Sequence, residues 1–179
     1  MRQLGRTLVL AACVAGLADA ASAKGKGPVP EDMLKGKIII SDKPLPMRWT
    51  SVSAYVAQLK GLNKGTFWYD KKSGKLTVQY AAFFARPVQD VQVMLVLYDV
   101  TDGPKTQKVA TENFMNRGER VLFNSVVFDK EDIDANRKYL MTIEDRHVVI
   151  AQGNFILRAE GPHYSGKVTF TEEETKDKK

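Results

Sequence analysis

Cysteine is almost absent from the chain: 179 residues include one, Cys13. It lies in a segment read below as an export signal, so the processed protein is expected to have no disulfide, no thiol nucleophile and no thiolate metal site. Histidine is nearly as scarce, with only His147 and His163, too few and too far apart for a paired-histidine metal motif. The sequence has no Gly-x-Ser-x-Gly elbow and no Gly-x-x-x-x-Gly-Lys-Ser/Thr loop, so the serine-hydrolase and phosphate-loop signatures are both missing. These absences point away from an enzyme. They leave open a hydrolase with a carboxylate pair, because such a pair meets only in three dimensions.

What the chain has first is an export signal. Arg2 and Arg6 precede an apolar run over 8–17, and Ala21-Ser22-Ala23 follows as a small-residue cleavage pattern. That order predicts a signal peptide over 1–23, and hence a periplasmic or secreted product. The run is too short to cross about 30 Å of hydrocarbon at about 1.5 Å per residue, so no transmembrane segment is expected in the mature chain. Leu10-Ala11-Ala12-Cys13 also looks like a bacterial lipobox, which makes a lipid anchor on Cys13 the alternative processing route.

Cleavage after Ala23 removes two arginines and one aspartate, taking the net charge from +6 to +5 and leaving 156 residues. That length predicts one domain able to bury a core without staples. Basic and acidic residues are interleaved rather than clustered, so nucleic acid is not an expected partner. Residues 24–35, opening with glycines and prolines among lysines, read as a flexible leader. A single β-sandwich domain is expected over 36–171, and a charged disordered tail over 172–179.

The centre of the pattern is 76–100. Leu76, Val78, Tyr80, Ala82 and Phe84 alternate with Thr77, Gln79, Ala81 and Phe83; Val91, Val93, Leu95 and Leu97 alternate with Gln92, Met94, Val96 and Tyr98. Period-two patterning predicts two strands, read as a pair joined by Ala85-Arg86-Pro87, with the second covered on both faces. Ile38-Ile39-Ile40, between Gly36 and Pro44, predicts a strand consistent with a sheet edge. Between Thr50 and Gly61 the period changes. Val52, Tyr55, Val56 and Leu59 form a helical stripe, predicting one short helix laid on the sheet.

Further strands are expected from 66, over 109–114, 121–128, 139–144 and 167–171. Turns at Asp70-Lys71-Lys72-Ser73-Gly74 and Asn116-Arg117-Gly118-Glu119 read as hairpins. Val148 and Ile150 sit on even positions whereas Phe155 and Leu157 sit on odd ones, which predicts a bulge or kink at Gln152 or Gly153.

In the connection 129–139, Ile133 can plug the core and Tyr139 opens a strand. This resembles the corner of immunoglobulin-like domains, where such a tyrosine bonds back to upstream backbone. The fold class that follows is all-β: an immunoglobulin-like antiparallel β-sandwich with one short helix.

Candidate sites are few. Asp132, Asp134 and Asn136 copy the first half of a calcium loop, but Arg137 stands where glycine is needed and Ile143 where glutamate is; a capped polar turn is the main reading and calcium the alternative. Arg158, Glu160, His163, Tyr164 and Lys167 gather charge and aromatic surface in one loop suited to contact with a ligand or partner. Trp68 and Trp49 could stack against sugar rings. The function expected is a non-catalytic binding module of the bacterial envelope that needs no cofactor. Its expected partner is an envelope or extracellular protein, with polysaccharide binding through exposed aromatics as the alternative.

Overall fold

Alternating apolar residues commit most of the chain to strands, because only an extended backbone sends every second side chain to one core. The computed structural model describes residues 27–70 and 73–159. In order, these form α1 (Pro30–Met33), β1 (Lys37–Ser41), α2 (Val52–Leu62), β2 (Thr66–Trp68), β3 (Lys75–Phe83), β4 (Gln92–Asp99), β5 (Thr106–Phe114), β6 (Val121–Asp129), β7 (Arg137–Asp145) and β8 (Val148–Arg158). The expected signal peptide, the strand over 167–171 and the tail over 172–179 lie outside the described residues. No helix among the described residues is long and apolar enough to cross a membrane.

The strands form one curled, mixed sheet in the order β5-β4-β7-β8-β1-β3-β6, with β2 added beside β8. The all-β expectation holds, but the purely antiparallel one does not. Strand β2 runs parallel to β8 with Thr66 opposite Ile156, and β1 meets β8 in parallel at the single pair Lys37–Gln152. The sheet folds over at that thin join. Leu76, Val78, Tyr80 and Ala82 of β3 thereby share a core with Val93, Leu95 and Leu97 of β4, Tyr139 and Met141 of β7, and Phe155 of β8.

The two central strands are therefore opposed across the core rather than paired. Strand β3 bonds to β1 and β6, and β4 to β5 and β7. The stretch 84–91 is a crossover between the two halves, as is 115–120. There Gly118 donates to the Val88 carbonyl and Val88 to that of Glu119, both at 3.0 Å. Among the described residues only β4–β5 and β7–β8 join sequence neighbours as hairpins. Gly74, at φ +68, does place its N–H on the Asp70 carbonyl at 2.8 Å, yet β2 takes its ladder from β8. Strand β1 is interior, between β8 and β3, and its isoleucines are buried on both faces: Ile38 and Ile40 in the main core, Ile39 beneath α2.

Helix α2 lays Tyr55, Val56 and Leu59 on Ile39, Ala81 and Phe83, making a second apolar layer outside β1 and β3. Leu34 is buried in the same layer. It explains a second helix where a leader was expected: Pro30 supplies the fixed φ of a first helical position, and the short turn seats Leu34. The β8 irregularity lies at Ile150, since Ile143 faces Ala151 while Glu144 faces Val149. The expected position, Gln152 or Gly153, has regular pairing. Gly153 serves another purpose: a Cβ there would sit 2.7 Å from the Ile38 carbonyl oxygen, so glycine is what lets β1 lie against β8.

Candidate functional site

Strand β4 is apolar on both faces, the inner one fully buried and the outer one partly open, with Val96 buried and Met94 and Tyr98 half-buried. Its inner residues are core; its outer residues Met94, Val96 and Tyr98, with Ala110 of β5, form part of the lining of a concavity of about 560 Å³. Polar groups from three turns surround it: Asp90 before β4, Arg117 from the β5–β6 crossover, and Arg146 and His147 from the β7–β8 turn.

Arg146 is held in place. Its Nε donates to Asp90 Oδ2 at 2.6 Å and its Nη2 to Oδ1 at 2.7 Å, the two-point geometry that fixes a guanidinium plane. These hydrogen bonds hold the Asp90 carboxyl below its ordinary range, and the nearby Arg117 charge lowers it further. Arg146 is itself 76% exposed, so the pair orients a surface cation and adds little to stability. Arg117 makes no ion pair or hydrogen bond among the described residues. At the inner wall Glu144 is buried and accepts from the Tyr98 hydroxyl at 3.0 Å and from Thr142 Oγ1 at 2.9 Å; burial, followed by that carboxylate, raises the Tyr98 pKa.

The turn that presents Arg146 is strained. Arg146 and His147 have φ of 50° and 67°, the left-handed pair that a two-residue turn needs to match the twist of its strands. Asparagine and glycine normally occupy these positions; here two side chains with a Cβ accept a cost of order 1 kcal/mol each. The apolar rim is uneven as well. Of eight large hydrophobics exposed among the described residues, Val91, Phe114, Val148 and Val149 all sit at this end of the sheet.

Of the residues singled out from sequence, Trp68 and Arg158 are brought together, paired in register where β2 meets β8. Glu160, His163, Tyr164 and Lys167 lie outside the described residues. Trp49 precedes α2 and Trp68 follows it, and no ring contact joins them among the described residues. Asp132, Asp134 and Asn136 have separate structural partners: Asp132 Oδ2 accepts from the Asp129 amide at 3.2 Å, Asp134 pairs with Lys108 at 3.1 Å, and Asn136 Oδ1 accepts from the Ala159 amide at 3.2 Å. That is a capped polar turn. The Tyr139 hydroxyl donates to the Asp134 carbonyl at 2.8 Å and accepts from the Asp134 amide at 2.7 Å, as the resemblance to a tyrosine corner implied.

Sequence reading missed Asp90, Arg117, Arg146 and His147. The available signal was β4 itself, whose second apolar face needed either a cover or a use. Compared with models of protein families and with curated proteins, the chain matches none.

Proposed function

We propose that the chain is an exported, non-catalytic binding module with an immunoglobulin-like sandwich, and that it contacts another envelope or extracellular protein through the end of the sheet bearing Asp90, Arg117, Arg146 and His147. The sandwich reading is supported by strand order. The run β5-β4-β7-β8 on one side and β1-β3-β6 on the other corresponds to the two faces of such domains, and the Tyr139 bonds supply their corner. In that arrangement the 84–91, 115–120 and 145–148 connections share one end. Export rests on the order of charged, apolar and small residues at the N-terminus.

The observation that carries the binding reading is the coincidence of exposed Val91, Phe114, Val148 and Val149 with an oriented arginine on a strained turn. Exposed apolar side chains around a fixed guanidinium have the composition of a protein-contact hot spot, and a backbone conformation that costs stability fits a site kept for use. Crosslinking in envelope extracts tests it. A partner should be captured by the wild type and lost with Arg146→Ala and Val148→Asp in variants whose unfolding midpoints are otherwise near wild type; equal capture by all three would overturn the assignment.

A further inference from the structure

A second place on the surface is built differently. Trp49 is 45% exposed and stacks on Tyr55, with ring centroids 5.0 Å apart and planes 23° from parallel. Tyr55 is a fixed support: it is buried in the layer beneath α2, and its hydroxyl donates to the Pro46 carbonyl at 2.7 Å. One indole face is therefore backed by a ring that cannot move while the residue stays half open to solvent. The pair forms one wall of a concavity of about 460 Å³ whose remaining lining is Arg48, Thr50, Ser51, Ala54 and Gln58.

Ser51, Ala54, Tyr55 and Gln58 are spaced at i, i+3, i+4 and i+7, so they share one face of the first turns of α2. Ser51 sits at the N-cap without making a side-chain cap bond; its hydroxyl lies 3.2 Å from that of Ser53. Arg48, Thr50 and Gln58 make no hydrogen bond or ion pair among the described residues. The lining contains no carboxylate, and its one charge is positive.

We infer that this is a carbohydrate-binding subsite for a gluco-configured pyranose ring of a neutral oligosaccharide. A pyranose with equatorial hydroxyls has a flat C–H face that stacks on a fixed aromatic plane and an edge of hydroxyls that needs donors and acceptors around it. Trp49 supplies the plane, and Arg48, Thr50, Ser51 and Gln58 supply the edge contacts. Charge excludes a cationic ligand as the intended one, and the uncommitted donors distinguish the site from a purely apolar groove. The subsite uses Trp49 alone of the two tryptophans, with Tyr55 as its backing, and it lies on α2, away from the Asp90–Arg146 end. Its success or failure is independent of the protein-contact reading.

Isothermal titration calorimetry with cellohexaose, chitohexaose and maltohexaose tests the inference on the purified protein. At least one hexasaccharide should bind saturably, with affinity falling at least tenfold in Trp49→Ala, several-fold in Gln58→Ala, and partly restored in Trp49→Phe. Gln58 is exposed, so Gln58→Ala should unfold at the wild-type midpoint. Trp49→Ala gives up the stacking on Tyr55 and should unfold at a slightly lower one; unfolding curves measured alongside confirm that each variant is folded during the titration. Heats that do not saturate with any of the three sugars, or binding unchanged in Trp49→Ala, would overturn it.

Discussion

Replacing Gly153 by alanine probes the fold at its thinnest join. The added Cβ would lie 2.7 Å from the Ile38 carbonyl oxygen, 3.0 Å from Ile40 Cδ1 and 3.2 Å from Ile38 Cβ. The first of these is about 0.7 Å inside ordinary contact, and the obstructing atom is backbone, so β1 itself must move. Strand β1 has only one ladder pair to β8 but five to β3; moving it disturbs the layer under α2 as well. Overpacking of this kind costs about 1–3 kcal/mol. With a urea slope of about 2 kcal/mol/M, the midpoint should fall by about 1 M. Gly61→Ala is the matched comparison. It lies within α2, its Cβ would meet nothing within 4 Å, and alanine there should stabilise by about 0.5–1 kcal/mol through helix propensity and a less flexible unfolded chain. A Gly153→Ala midpoint equal to or above wild type would refute the claim that glycine is what lets β1 lie on β8.

Tyr139→Phe removes a hydroxyl that both donates to and accepts from Asp134 backbone, and should cost about 1–3 kcal/mol in urea unfolding because both backbone groups lose their partner. His147→Gly relieves a φ of 67° and should raise stability by about 1 kcal/mol, while weakening partner capture by loosening the turn that presents Arg146. Stability should also decline in alkali. Burial, with nearby aspartates, raises the Tyr69 pKa from the ordinary 10 to about 12, and burial raises that of Tyr139 to about 12. The folded state then holds protons that the unfolded state has lost, so this contribution is whole below pH 10 and falls as pH rises toward 12. Urea midpoints measured from pH 9 to 12 should show the decline, and Tyr69→Phe should make it shallower.

Strands and helix α2 were legible in the sequence because their signals are local: period two for β3 and β4, period 3.6 for Val52, Tyr55, Val56 and Leu59. Tyr139 was legible for the same reason, since its partner Asp134 is five residues away. Pairing was not. Turn signals at 85–87 and 116–119 mark where the chain reverses but not which strand it meets next; the burial of one face of β3 against β4 and of the other beneath α2 decides that, and both are long-range effects. Strand β1 misled because flanking glycine and prolines suggest an edge, whereas three isoleucines buried on both faces require an interior position. The site escaped because Arg146-His147 carries none of the asparagine or glycine chemistry that announces a two-residue turn, and because Asp90 is 56 residues from its partner. The even-to-odd switch in β8 did signal a bulge, two or three residues from where it occurs.

Quantitative crosslinking of the tagged full chain in cells of its own host tests most directly the proposal that the end of the sheet around Asp90 and Arg146 is a protein-contact surface. One dominant crosslinked partner should appear and be lost with Arg146→Ala and with Val148→Asp, while Lys60→Ala on the exposed side of α2 leaves it unchanged. The same crosslinks in all four proteins, or only uncrosslinked monomer in the wild type, would contradict it.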